Sequence, residues 1–163
     1  MPTVFISIGS NIERDKHIHS AIATLRTKFG ALRLSSVYEA DAVGFSGEPF
    51  LNLIVAFDTK ESPATVDLML DAIEKKNGRT TEQKKFHPRT LDLDMVLYDD
   101  FISEDPNLEV PRPEITRYAF VLEPLAEIAG ELKHPVLDKS YNQLWENFDK
   151  RGVIQQRIPF EWD

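Results

Sequence analysis

The stretch FLNLIVAFDTKESPATVDLMLDAIEKKNG, residues 50–78, encodes one strand and one helix with clear boundaries. The apolar, β-branched run over 50–58 predicts a buried strand. Ser62 is a typical helix N-cap, Pro63 suits the first helical position, and Asn77-Gly78 ends the helix. The predicted helix carries one apolar stripe, formed by Val66, Met69, Leu70 and Ile73. We therefore predict a strand followed by a helix that packs on the sheet.

Similar signals extend outward on both sides of this stretch. Residues 3–9 and 33–39 predict two earlier strands, and residues 90–98 predict a later one. A helix is predicted between the first two strands, with Gly30 as its C-cap. Its apolar stripe is Ile18, Ala21, Ile22, Leu25 and Phe29. The order βαββαβ predicts a ferredoxin-like α+β core, in which helices cover one face of an antiparallel sheet.

The last third of the chain adds elements to this core. Residues 115–128 and 140–151 predict two helices, and VIQQRIPF at 153–160 predicts a late strand. Because no linker or repeat interrupts the pattern, we expect residues 1–163 to form a single domain with C-terminal helical and strand additions. A fold of this kind hosts many functions, so the activity has to be argued from its residues.

Composition excludes several functional classes. The chain lacks cysteine, which rules out disulfides, thiolate nucleophiles and cysteine-bound zinc. A net charge of −8 disfavours binding to nucleic acid or to an anionic membrane surface. The N-terminus has no basic leader, and no segment has the roughly 18 apolar residues that a membrane helix needs. We expect a cytoplasmic protein. RNA binding would be compatible with the fold, but the negative net charge and the absence of an aromatic RNP motif argue against it.

The segment HPRTLDLDMVLYDD, residues 87–100, places two acids in an apolar strand. Asp92 and Asp94 are two residues apart, so they project from one strand face, opposite Leu91, Leu93 and Met95. Two adjacent carboxylates repel each other unless a counter-charge is present. A hard divalent ion such as Mg²⁺ supplies that charge; exposure to water or nearby lysine and arginine are the alternatives.

A basic segment directly precedes the two acids. It contains Lys75, Lys76, Arg79, Lys84, Lys85 and Arg89. A cationic segment beside a carboxylate pair is typical of polyphosphate chemistry, and a solvated surface loop is the alternative. No P-loop motif is present.

Several motifs together resemble those of one family, the hydroxymethyl-dihydropterin pyrophosphokinases of folate biosynthesis. The most specific is PRTLDLD at 88–94. The others, in the family's order, are IGSN at 8–11, SSVY at 35–38, FLN at 50–52, Ile73-Glu74, Gly78-Arg79, and FVLEPLAEIA at 120–129. The resemblance covers nearly the whole chain.

The resemblance implies a reaction and its catalytic residues. The family transfers the β,γ-diphosphate of ATP to the hydroxymethyl group of a reduced pterin and releases AMP. By this resemblance Asp92 and Asp94 hold two Mg²⁺ ions on the ATP phosphates, while Arg79 and Arg89 neutralise phosphate charge. The substrates, ATP and a reduced pterin, are the expected partners of a monomeric enzyme.

The resemblance also assigns a pterin site. Asn52 would read the edge of the heterocycle, Phe50 and Phe120 would sandwich its ring, and main-chain groups at Ala40 and Val43 would complete recognition. The alternative for the two phenylalanines is that they are core aromatics. Asn52 fits a core position less well, because a buried amide needs hydrogen-bond partners.

The nucleotide side is where the sequence departs from the family. The residues assigned to it are Glu74, Arg79, Lys84, Lys85, Arg89, Met95, Arg112, Arg117 and Tyr118. Arg112 replaces a common histidine, Tyr118 a common arginine, and Thr81 a second loop arginine. These changes motivate an alternative, a divergent paralogue that binds a pterin with weak or altered catalysis. Glu74 has its own alternative as an acid on the helix surface.

Overall fold

The computed structural model describes residues 1–41, 48–78 and 91–162. The strands are β1 (Thr3–Ser10), β2 (Arg33–Leu34), β3 (Val37–Ala40), β4 (Phe50–Asp58), β5 (Asp92–Tyr98) and β6 (Gln155–Ile158). The helices are α1 (Arg14–Phe29), α2 (Pro63–Lys76), α3 (Glu114–Arg117), α4 (Ala119–Ala129) and α5 (Tyr141–Glu146). Among the described residues, no helix combines the length and the apolar character needed to cross a bilayer.

The strands form one antiparallel sheet in the order β5-β1-β4-β3-β6, and β2 pairs with β4. With β2 and β3 counted as the one strand predicted over 33–39, the elements from β1 to β5 follow the predicted βαββαβ order, so the ferredoxin-like core is confirmed. The predicted helix caps are also confirmed. Ser62 caps α2 by accepting a hydrogen bond from the Thr65 N–H, and Gly30 is the C-cap of α1. The late strand predicted over 153–160 is β6.

The strand predicted over 33–39 is split in two at a pair of serines. The Ser35 hydroxyl accepts the Ile54 N–H at 2.9 Å and so replaces a main-chain carbonyl of the ladder. The Ser36 N–H turns out of the sheet and donates to both carboxylate oxygens of Glu127, each at 3.0 Å. The serine side chains thus compete with strand pairing at this point.

One predicted C-terminal helix is divided into two, α3 and α4, and the other is shorter than expected. The helix predicted over 115–128 breaks at Tyr118, whose backbone is extended with φ −126°. The helix predicted over 140–151 ends at Glu146, where the Lys150 ammonium donates to the carbonyl oxygens of Trp145 and Phe148. The extended backbone at Tyr118 interrupts the first helix, and the contacts of Lys150 accompany the end of the second. The apolar spacing of the sequence continues past both points.

The helices cover both faces of the sheet, which corrects the expectation of one covered face. α1 and α2 pack on the face that carries Val4, Ile6 and Ile8. The C-terminal helices α3 to α5 bury the opposite face, including Phe5 and Ile54. The predicted additions therefore complete a second core, because the apolar residues on that face also have to leave water.

A bulge in β5 sets which side chains face the C-terminal helices. Phe5 pairs with Leu97 and Ile6 with Met95, which leaves Val96 as the extra residue. Asp92 and Asp94 project to the face covered by α4, whereas Leu93 and Met95 join the core under α1 and α2. The predicted alternation of this strand is therefore present in the structure.

Glu127 connects α4 to β3 and to the segment between β2 and β3. Its carboxylate accepts hydrogen bonds from the Tyr38 hydroxyl at 2.7 Å and from the Ser36 hydroxyl at 2.8 Å, besides the Ser36 N–H. Burial by itself would raise the pKa of Glu127, but these hydrogen bonds outweigh it and lower the pKa. The stabilisation is therefore present above pH ~4.3, the usual glutamate pKa, and is lost as the pH falls through the lower folded value.

We expect Glu127→Gln to lower the free energy of unfolding at pH 7 by about 1 kcal/mol, a charged hydrogen-bond contribution reduced for partial exposure. Urea unfolding between pH 7 and pH 2.5 measures it, and the difference from wild type should vanish at the acid end. Glu131→Gln, at an exposed position just after α4, is the matched control. A difference that persists at pH 2.5 would contradict this account.

Candidate active site

A pocket opens where β1, β4 and β5 emerge from under α4. Its lining is Ser7, Gly9, Ala40, Asp41, Phe50, Asn52, Asp92, Asp94, Val96, Glu114, Tyr118, Phe120 and Val121. Seven of these are predicted site residues: four from the proposed pterin set, the two proposed metal ligands, and Tyr118 from the nucleotide side. The fold thus brings together residues that are up to 80 positions apart in the sequence.

The floor of the pocket is a row of paired strand residues. Gly9 on β1 lies between Asn52 on β4 and Asp92 on β5. A Cβ atom on Gly9 would approach Asn52 Oδ1 to 2.9 Å, so the glycine leaves room for the amide. Gly9 and Ser10 are the last two residues of β1, and the chain leaves the strand only at Asn11.

Residues at the start of α1 hold one rim of the pocket. The Asn11 amide donates to the Glu48 carbonyl oxygen at 3.2 Å. The Arg14 guanidinium donates to the Pro49 carbonyl oxygen at 3.0 Å and pairs with Glu39 at 2.9 Å. These contacts fix the chain just before Phe50, which enters the pocket from β4.

Asn52 is the most unusual polar group in the pocket. It is 4% exposed, and its Nδ2 has no hydrogen-bond partner among the described residues. A buried donor without a partner costs about 1 to 3 kcal/mol. The amide thus offers an unused donor to any ligand that presents an acceptor.

The carboxylates of Asp92 and Asp94 line the same pocket. Burial, followed by the negative charge of Asp92, raises the pKa of Asp94 well above its usual range, and the Arg112 guanidinium opposes this shift. Two oxygen donors under mutual repulsion suit a hard divalent cation. The described residues contain no cluster of three or more His, Asp or Glu side chains for a metal, so this pair would rely on ligand or water oxygens.

Arg112 already pairs with one of these carboxylates. Its Nη2 lies 2.6 Å from Asp94 Oδ1, and its Nη1 lies 3.8 Å from Glu114 Oε2. The Arg112 N–H donates to the Val96 carbonyl oxygen at 3.0 Å, which fixes the backbone beside the bulge of β5. The guanidinium is therefore held between two acids of the pocket wall.

A second groove lies on the other side of Asp94. Glu74, Met95 and Arg112, all assigned to the nucleotide side, line it. Glu74 is 9% exposed, and its Oε2 accepts the Leu93 N–H at 2.7 Å. The alternative of Glu74 as a helix-surface acid is therefore wrong, since this carboxylate links α2 to the start of β5.

The aromatic residues lie at the opposite wall of the pocket. Phe50 and Phe120 are both half-buried, and Tyr118 stacks on Phe120 with ring centroids 5.0 Å apart at 18°. A purely structural core role explains their partial exposure poorly. Arg117 is exposed on α3 and lines neither the pocket nor the groove.

Several predicted site residues lie outside the described residues. They are Val43, Arg79, Lys84, Lys85 and Arg89, and their roles stay predictions. The structure adds six lining residues that are not among the predicted site residues: Ser7, Gly9, Asp41, Val96, Glu114 and Val121. Strand alternation from Gly9 and Asp94 identifies Ser7 and Val96, whereas Asp41 and Glu114 carry no sequence signal.

Curated relatives resemble this chain over most of its length. A pyrophosphokinase of Aquifex aeolicus, named for 2-amino-4-hydroxy-6-hydroxymethyldihydropteridine, is 35% identical over 85% of this chain and 88% of its own. The Bacillus subtilis protein of the same name is 36% identical over 91% of this chain and 92% of its own.

A solved structure supports the fold independently of sequence. The Plasmodium falciparum HPPK-DHPS structure superposes with a TM-score of 0.73 at 14% identity and covers 96% of this chain. This chain spans about half of that protein, 48% of its length. A model of the 7,8-dihydro-6-hydroxymethylpterin-pyrophosphokinase (HPPK) family matches residues 5–130. With the relatives above, this match shows that the chain belongs to the HPPK family.

Proposed function

We propose that this protein transfers the diphosphate of ATP to the hydroxymethyl group of 6-hydroxymethyl-7,8-dihydropterin and releases AMP. The observation that carries the proposal is a single pocket that contains both a buried, unsatisfied amide and a repelling carboxylate pair. An amide of this kind suits a heterocycle edge, and such a pair suits a metal-bound polyphosphate. Membership of the family supports the same reaction.

The pterin would lie across the floor of the pocket above Gly9. Asn52 would donate to a ring acceptor, and the ring would lie flat against Phe50 and Phe120. Main-chain groups at Ala40 and Val43 would complete the set. A ligand satisfies the amide only when it presents an acceptor at the right edge. The buried donor therefore favours binding of a pterin over binding of aromatic rings that lack such an acceptor.

Asp92 and Asp94 are the residues that would hold two Mg²⁺ ions. When bound, Mg²⁺ neutralises negative charge on the triphosphate. Arg79 and Arg89, with Lys84 and Lys85, would add cationic donors to the phosphate oxygens as charge redistributes. The remaining contribution of the protein is to align the pterin hydroxyl with the phosphorus, because positioning and electrostatics supply most of the rate in phosphoryl transfer.

The direct test is AMP release by the purified protein. Incubation with ATP, Mg²⁺ and 6-hydroxymethyl-7,8-dihydropterin should yield AMP on chromatography, and omission of either the pterin or Mg²⁺ should abolish it. Intact ATP after long incubation would overturn the proposal. Calorimetry in parallel separates the paralogue alternative, which predicts pterin binding without AMP; nothing in the comparisons favours that alternative.

Gly9→Ala should weaken pterin binding without unfolding the protein. The added Cβ would lie 2.9 Å from Asn52 Oδ1, so the amide has to rotate or shift. We expect the dissociation constant of the pterin to rise about tenfold, ~1.4 kcal/mol, as measured by calorimetry with an ATP analogue present. Ala23→Ser, which adds one heavy atom at an exposed position of α1, is the control and should bind the pterin like wild type. Unchanged pterin affinity in Gly9→Ala would contradict the proposed placement of the ring.

Three further features complete the proposal. We infer that residues 1–163 act as one domain, that the protein is a monomer and that it functions in the cytoplasm. Size-exclusion chromatography with light scattering tests the oligomeric state, and a dimer at micromolar concentration would contradict it. Fractionation of cells that express the protein tests the location.

A further inference from the structure

The ion pair between Arg112 and Asp94 places a cation where the proposed metal would bind. The 2.6 Å contact uses Asp94 Oδ1, one of the two oxygens that this residue could offer to a metal, and Asp94 itself lines the pocket. A guanidinium and a divalent cation on the same carboxylate lie within a few ångströms of each other and repel strongly. Arg112 and a metal ion at Asp94 therefore compete for one ligand.

The Arg112 side chain also has an alternative binding position. It lines the second groove together with Glu74 and Met95 of the proposed nucleotide side. The other carboxylates of the described lining are Asp67, Asp71, Asp94 and Glu109, so Arg112 is the one cationic side chain there that can pair with an incoming phosphate. A guanidinium binds phosphate through two parallel hydrogen bonds. This interaction is at least as strong as a hydrogen bond to one carboxylate oxygen. The Arg112 backbone is fixed by its hydrogen bond to Val96, so this exchange requires movement of the side chain alone.

We propose that Arg112 is the resident counter-ion of Asp94 and moves to the nucleotide phosphates when they arrive, so that nucleotide and metal enter the site together. This inference rests on the proposed function, and it concerns how the metal site becomes available. Divalent cation alone should bind weakly because Arg112 occupies Asp94. The common histidine of the family at this position would not hold the carboxylate with a permanent charge.

Direct binding of Mn²⁺, without nucleotide and without turnover, tests the competition. We expect Arg112→Gln to bind Mn²⁺ about tenfold more tightly than wild type, as measured from the free-ion electron paramagnetic resonance signal. Arg112→Lys, which keeps the charge, should return toward wild type. Arg26→Gln, at an exposed arginine on α1, removes the same charge far from the pocket and should bind like wild type.

Two further measurements keep the proposal testable if Arg112→Gln folds poorly. In wild type, the Arg112 Nε–H resonance should shift when Mg²⁺ and a non-hydrolysable ATP analogue are added together, and far less with Mg²⁺ alone. In the double variant Asp94→Asn/Arg112→Gln, the gain in Mn²⁺ affinity should disappear.

The possible outcomes distinguish this inference from the proposed function. The exchange is overturned, even if AMP is released, by either of two results. One is equal Mn²⁺ affinity in wild type and Arg112→Gln, and the other is an Arg112 resonance that does not shift when nucleotide and Mg²⁺ are added. Tighter Mn²⁺ binding in Arg112→Gln together with the nucleotide-linked shift supports it. Absence of AMP release alongside those two results overturns the proposed reaction and leaves the exchange standing.

Discussion

Replacing Asp94 with asparagine is expected to lower pterin-dependent AMP formation at least a thousandfold, ~4 kcal/mol of activation free energy. The amide keeps the size of the side chain but lacks the charge that would hold a cation against the triphosphate. Asp92→Asn should act in the same direction, since both carboxylates line one pocket. Chromatographic measurement of AMP under saturating ATP and pterin gives the rates.

The same substitution should leave the fold intact. Burial and the charge of Asp92 disfavour ionised Asp94, so a neutral side chain relieves repulsion as it gives up the ion pair with Arg112. We expect a melting temperature equal to or above that of wild type. Asp100→Asn, at an exposed position just after β5, should retain full activity. Turnover within tenfold of wild type in Asp94→Asn would remove the argument for a metal at this pair.

The sequence predicted the elements whose signals are local. β4 and α2 were identified with their boundaries because an apolar run, Ser62, Pro63 and Asn77-Gly78 each act within a few residues. The break at Tyr118 and the covering of both sheet faces were missed. These depend on how distant segments pack, which apolar spacing alone does not encode.

The site was predictable to a similar degree. Strand alternation predicts that Asp92 and Asp94 share one face, and the need of a buried amide for partners singles out Asn52 in its apolar strand. The structure places all three residues in one pocket. The Arg112–Asp94 pair and the hydrogen bond from Leu93 to Glu74 could not be predicted. Each joins side chains or backbone groups that come together only after β5 is docked.

Asn52→Leu is expected to abolish pterin recognition and stabilise the protein at the same time. Leucine has nearly the shape of asparagine but carries no donor or acceptor. Because Asn52 Nδ2 has no partner among the described residues, its replacement removes a desolvation cost, and the free energy of unfolding should rise by about 1 to 2 kcal/mol. Affinity for the pterin should fall at least a hundredfold, ~2.7 kcal/mol.

Opposite signs for stability and binding make this variant informative. Urea unfolding gives the first quantity, and calorimetry with the pterin and an ATP analogue gives the second. Asn147→Leu, at an exposed position, should change neither by more than about 0.5 kcal/mol. A residue kept only for packing would show lower stability in Asn52→Leu and unchanged pterin affinity. Higher stability with lost affinity would instead mean that the chain tolerates an unsatisfied amide because a ligand completes it.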